Sequence, residues 1–292
     1  MFTIHEIETE NKLSVFPRFY AALASSIRSV CGDWGEGAVR QAIRLYAARQ
    51  AGALCSAHKA AGVKQNVKSY QCAGNCMIDS RERSHYQQLC EEVCVKEIYT
   101  CPFAQIWRQD GTCDVGRWYC EEYEKAKFEA YTHGLGQLHL SELLTEPRHN
   151  IGRCAMYYRL ANLSPAAAAD AFTENRHAPA NAAEWTDQFR QTPGQQCLQL
   201  VRAMYAACGE AACGDGRRAL AEGLRRFTAS TLENLRSQAV RTLHACDGAF
   251  AARNFALPLD EKNSIYDENT EADRMLAAYV LRPMRRALGM ED

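Results

Sequence analysis

The sequence has no uninterrupted apolar run approaching the ~20 residues that a membrane-spanning helix requires. Its opening, MFTIHEIETENKLSVFPRF, has no basic n-region and no apolar h-region. The expectation is therefore a cytoplasmic chain with no membrane partner. An excess of charge is also missing: 34 Lys and Arg stand against 35 Asp and Glu, for a net charge of -1. That balance gives no electrostatic reason to expect nucleic acid as a partner. There is no Gly-rich phosphate loop, no His-Glu-x-x-His and no Gly-x-Ser-x-Gly, so the motifs of phosphate-loop nucleotidases, zinc peptidases and α/β-hydrolases are excluded. No Cys-x-x-Cys knuckle occurs either, although that is the usual local mark of thiolate metal ligation.

What the chain does have is cysteine, fourteen in 292 residues. In a reducing compartment most should be small buried hydrophobes. That reading fits Cys31, Cys55, Cys197, Cys208 and Cys246, each set among Ala, Leu or Val. The length exceeds that of a usual single core, which favours two domains.

Residues 13–30 and 36–61 read as helices separated by the glycine-rich turn CGDWGEG, and 83–93 as a third, shorter helix. The β-branched and aromatic run VCVKEIYTCPFAQIW (93–107) reads as a strand interrupted at Pro102. Asp110-Gly111-Thr112 then marks a turn, with Cys113 an exposed loop thiol. Residues 114–134 are helical after Gly116, and 136–146 and 152–162 alternate as half-buried strands. Residues 163–196 read as a linker with a short helix, and from Cys197 the pattern is helical. The fold class expected is α+β: N-terminal helices packed on a small antiparallel sheet, followed by a mostly helical C-terminal domain. The expected boundaries are 1–165, a linker 166–196, and 197–292. The helical part of the second half aligns without gaps to the first, matching Arg40 to Arg218, Ala51 to Ala229 and Leu54 to Leu232, a candidate degenerate repeat.

TCPFAQIW, then WYCEEYE, AYTHGL on the same helix, and NIGRCAMYYRL after a strand together resemble the L-2-amino-thiazoline-4-carboxylic acid hydrolase family. The resemblance covers roughly residues 12–165. Cys101, Pro102 and Trp107 fit its first block, Cys120 its second with Glu124 at the acidic position, and Cys154 its last. Ile151, preceded by Asn150, stands where the family has Asp, and Ala130-Tyr131-Thr132-His133 where it has Gly-aromatic-Asn. The resemblance implies hydrolysis of a C–N bond in a small cyclic amidine or thiazoline-like ring.

Such chemistry needs a nucleophile, a proton donor and charge stabilisation. Cysteine is the best nucleophile at neutral pH when a neighbouring cation lowers its pKa. Cys101, Cys120 and Cys154 are the candidates, and one of them should then label faster than an ordinary thiol. His133 or His139 could act as cation or base, and Glu121 or Glu124 as orienting group or acid. Cys120 and Glu124 share a helix face at i, i+4. His133 lies about 20 Å further along the axis at ~1.5 Å per residue, if the helix runs that far. Trp107 and Tyr131 are expected to line the substrate pocket.

The same three cysteines could instead be core residues, or ligands of a divalent metal or cluster. A second pattern, Cys72-x3-Cys76 and Cys90-x3-Cys94, would let two helices of a hairpin face their thiols. It is similar to the twin Cys-x3-Cys of small chaperones of the mitochondrial intermembrane space. The alternative function is accordingly a non-catalytic cysteine-rich module binding a metal, cofactor or protein partner. Homo-oligomerisation stays open. The acidic stretch 258–273 reads as a solvated loop, and the C-terminal helix as kinked or ended near Pro283.

Overall fold

Helix α1 (Ile4–Ala60) carries one break, at Gly32 (φ 59, ψ -140). This is where the glycine-rich turn is expected, and only a residue without Cβ enters that conformation at no cost. The computed structural model describes residues 4–75, 81–146, 152–161, 163–166, 169, 189–210, 215–255, 257 and 270–290. Most of the expected linker, 167–168 and 170–188, and most of the acidic stretch, 258–269, lie outside the described residues, as do Cys76, Asn150 and Ile151.

After α1 come α2 (Val67–Cys72), capped by the Asn66 side chain accepting from Ser69 N at 2.8 Å, and the strands β1 (Arg83–Leu89) and β2 (Val93–Thr100). Helices α3 (Pro102–Gln109) and α4 (Cys113–Tyr131) follow, then β3 (Gly136–Glu142) and β4 (Cys154–Leu160). The sheet is antiparallel throughout, in the order β1-β2-β4-β3. The α+β class is as the sequence implies.

Three local readings are corrected. Residues 83–93 are not a helix but β1 and the turn into β2. This strand is mostly polar and exposed; it exists because β2 offers it a ladder, a pairing that local periodicity does not register. Pro102 does not interrupt a strand. It opens α3 at the first turn, where its missing N–H costs nothing and its φ is already helical. Cys113 is not a loop thiol but the first residue of α4.

Register fixes one face of the sheet as the inner one. Cys94 pairs with Tyr158, Lys96 with Met156 and Ile98 with Cys154, while Leu138 and Leu140 flank Tyr158 and Met156 from β3. Against this face, Ala51 and Leu54 of α1, Val67 and Tyr70 of α2, and Phe128 and Tyr131 of α4 form a buried cluster with Cys94 and Tyr158. The N-terminal helical segment thus packs on the sheet.

The chain falls into two units by its internal packing: residues 43–191, which hold the sheet, and residues 1–42 with 192–292. The division differs from that read in the sequence by grouping the first 42 residues with the C-terminal helices. Those helices are α5 (Pro193–Glu210), α6 (Gly216–Thr242), α7 (Gly248–Asn254), α8 (Glu271–Leu276) and α9 (Arg282–Ala287), with a π turn (Ala277–Leu281) between the last two. Pro283 sits in the first turn of α9, directly after the π turn.

Within this second unit a Cβ on Gly223 of α6 would come 2.9 Å from Leu23 Cα, so glycine sets how closely α6 and the start of α1 approach. Ser26 Oγ donates to Ala219 O at 2.8 Å, and the Phe19 and Phe227 rings meet edge-on at 5.0 Å. Cys197 and Cys208 are buried as expected, whereas Cys31, Cys55 and Cys246 are partly exposed.

Candidate functional site

Three elements deliver the candidate thiols. Cys101 is the N-cap residue of α3, at the exit of β2; Cys120 lies in α4; Cys154 opens β4. All three join one cluster with Ile98, Ala104, Leu143 and Leu144. Cys154 is buried, and Cys101 and Cys120 are partly exposed. Cys154 Sγ accepts from Leu144 N at 3.0 Å. The buried Thr145 hydroxyl meets the Cys120 thiol, a contact that pulls the thiol pKa down.

Burial raises the pKa of every one of these thiols. Cys120 is pushed well above the usual thiol value by desolvation, then by Cys101 and Cys154 beside it. Cys154 is raised to about 11 by desolvation, against which the Leu144 amide pulls. Cys101 is also raised, by desolvation and by Glu82, while the Ala104 and Phe103 amides at the start of α3 and, least of all, the Glu82-paired Lys96 ammonium pull it back. The expectation of an activated thiol is therefore not met in the resting site. Cys101 is the member with a cation and a helix N-terminus acting on it, the two influences that favour a thiolate.

Lys96 is the site residue the sequence reading missed. It occupies an inward position of β2, between Cys94 and Ile98, where alternation calls for an apolar side chain. That conflict was the available signal. Its ammonium lies 3.1 Å from Glu82 and 5.6 Å from the Tyr86 ring centroid. Desolvation alone would lower its pKa, but Glu82 and Tyr86 hold it above the ordinary lysine value, with Glu124 adding to them.

Glu124, one turn beyond Cys120 on α4, is gripped by two phenols. Tyr70 Oη donates to its Oε2 at 2.9 Å, and Tyr158 Oη lies 3.3 Å from the same oxygen and 3.2 Å from Met156 Sδ. Burial, then Glu124, raise Tyr158 well above the usual phenol value, so it stays a proton donor. Met156 packs on both the thiol cluster and the Tyr70–Tyr158 cluster, joining the two.

The other expected site residues lie outside the thiol cluster. Trp107 is fully buried, with Phe103 and Tyr119 against its ring at 5.7 Å each. Tyr131 is fully buried too, its hydroxyl 2.9 Å from His58 Nδ1. His133 lies on the exposed turn after α4 with φ 52, because that helix ends at Tyr131. His139 is exposed on β3, and Glu121 pairs with Arg117 at 2.5 Å.

The helical hairpin expected of the twin Cys-x3-Cys pairs is not formed. Cys90 sits in the β1–β2 turn and Cys94 on β2, so neither lies on a helix. Burial, with Cys72 and Cys90 nearby, raises Cys94 to about 12. Among the described residues no group of three or more His, Cys, Asp or Glu side chains is arranged to hold a metal ion.

Compared with models of protein families, with curated proteins and with solved structures, the chain finds no match in any of the three.

Proposed function

We propose that the unit spanning residues 43–191 is a hydrolase that opens a small cyclic amidine or thiazoline-like C–N ring, with Cys101 as nucleophile. The observation that carries this reading is the convergence of Cys101, Cys120 and Cys154 from three elements, with Cys101 at the N-terminus of α3. A neutral resting thiol suits such a substrate, because the ring nitrogen is itself basic. As the S–C bond forms at the ring carbon, the thiol proton passes to that nitrogen and the C=N π bond becomes a C–N single bond. The tyrosine-held Glu124, with Tyr158 kept protonated, supplies polar groups to hold the departing nitrogen. The other amidine nitrogen next re-forms a C=N bond and passes its proton to the ring nitrogen as the ring C–N bond breaks, leaving an amine and a thioimidate on Cys101. Water adds to the thioimidate carbon and expels the thiol with its proton, giving the ring-opened carbonyl product.

The test is incubation of the pure protein with aminothiazoline carboxylate and a panel of cyclic amidines, followed by mass analysis for addition of one water. Ring-opened product is expected from the wild type and none from Cys101→Ser with its circular dichroism unchanged. A wild type inert across the panel, with and without added divalent metal, overturns the proposal.

A further inference from the structure

The outward face of the sheet at its β3 edge carries a second set of polar groups, and it shares no residue with the thiol cluster. We propose that this corner binds a flat heteroaromatic ring bearing an oxyanion on a short spacer, the chemistry of a nucleoside monophosphate. A cleft of about 550 Å³ opens there, within the ~300–1,000 Å³ usual for small-ligand sites. Lys125 and Glu129 of α4 form one wall, and Gln137, His139, Tyr157 and Arg159 form the other.

Arg153, just before β4, and Arg159 within it are treated differently. Arg153 is neutralised by Glu97 and Glu142, at 2.5 and 3.0 Å. Arg159 meets no carboxylate among the described residues. Instead the neutral Gln137 Oε1, directly across the ladder, accepts from its Nε at 3.0 Å and its Nη2 at 2.7 Å. The amide holds the guanidinium plane still without cancelling its charge, which is how a fixed oxyanion receptor is built.

Two residues back on the same strand face, Tyr157 exposes 39% of its surface and stands opposite His139 in the ladder. A stacking ring and a guanidinium two residues apart are separated by roughly 7 Å at the rise of a strand. A ligand must span that gap to use both, so a carboxylate attached directly to its ring is too short. Lys125 adds a positive charge, and Glu129 is the one carboxylate of the lining.

Calorimetric titration of the intact protein with adenosine monophosphate at low ionic strength is the test. Saturable binding is expected, with adenosine and inorganic phosphate each binding at least about tenfold more weakly. Tyr157→Ala and Arg159→Gln should each weaken binding about tenfold or more, the loss of stacking in one and of a charge-assisted contact in the other. The paired Arg153→Gln should change it little. Tyr157 and Arg159 are exposed, so their variants should keep the wild-type circular dichroism. The proposal is overturned if the monophosphate fails to saturate at millimolar concentration. It is equally overturned if phosphate alone binds as tightly, or if Tyr157→Ala and Arg159→Gln leave affinity unchanged.

Discussion

His58 illustrates what one buried side chain commits the protein to. Its Nε2 donates to Ala73 O and its Nδ1 accepts from Tyr131 Oη, each at 2.9 Å, an arrangement that only the neutral ring can make. Desolvation lowers its pKa; the Ala73 carbonyl works the other way, and Lys127 adds to the lowering. The unfolded chain therefore binds the proton more readily than the folded one. Stability from this group is complete above the ordinary imidazole value of about 6.5 and drains away as pH falls below it. Urea unfolding of the sheet-bearing unit should show a lower midpoint at pH 5.5 than at pH 7.5. In His58→Phe that slope should shrink, at a cost of roughly 1–3 kcal/mol for each polar partner left unsatisfied. The three clustered thiols set a second expectation at this scale. Because burial raises all of them, iodoacetamide at neutral pH should modify each more slowly than a free thiol, with Cys101 first. Mass mapping of a time course checks the order.

At the level of elements, α3 and α4 meet with almost no slack. A Cβ on Gly116 would stand 2.4 Å from the Trp107 ring, and Trp107 is fully buried. Gly116→Ala should thus destabilise the protein by roughly 1–3 kcal/mol, the cost of overpacking, although alanine is the better helix former. Gly52 in α1 has nothing within 4 Å of such a Cβ, so Gly52→Ala should stabilise by about 0.5–1 kcal/mol. Thermal melts of the two variants, moving in opposite directions, test the packing directly. The same elements mark where the sequence could be read. Strands β3 and β4 were legible because Leu138 and Leu140 alternate with His139 and Ser141, and Cys154, Met156 and Tyr158 with Arg153 and Arg159, whereas β2 was legible through its β-branched and aromatic content. Strand β1 was not, since RSHYQQL has no apolar stripe and owes its state to pairing with a neighbour distant from local pattern. The family resemblance implied that Cys101, Cys120 and Cys154 converge, and in the fold the three pack in one apolar cluster. Lys96 left only its break in the alternation as a signal, and the phenols around Glu124 were illegible, because their meeting depends on sheet register and on residues as far apart as Tyr70 and Tyr158.

For the molecule as a whole, residues 1–42 group with residues 192–292 by packing, and within that unit α5 is tied to α8 across 71 residues of chain. Asp273 is fully buried, and both its oxygens meet the Arg202 guanidinium, at 2.7 and 2.8 Å. Burial by itself would raise this carboxyl, but Arg202 and the Thr270 cap hold it below the ordinary aspartate value. Its stabilising contribution is present above about pH 3.9 and is lost as pH falls through the lowered value. Asp273→Asn should cost roughly 2–4 kcal/mol, the lower part of the range for a broken buried pair because Arg202 is one-third exposed. Hydrogen exchange should localise that loss to α5 and α8 and leave the strands protected. Grouping by packing also has a consequence in time. A ribosome delivers residues 43–191 as one uninterrupted stretch, and everything the sheet needs has been translated before α5 begins. Residues 1–42, translated ahead of the sheet, must wait for partners encoded after residue 191, so a segment made before the sheet finds its place after it.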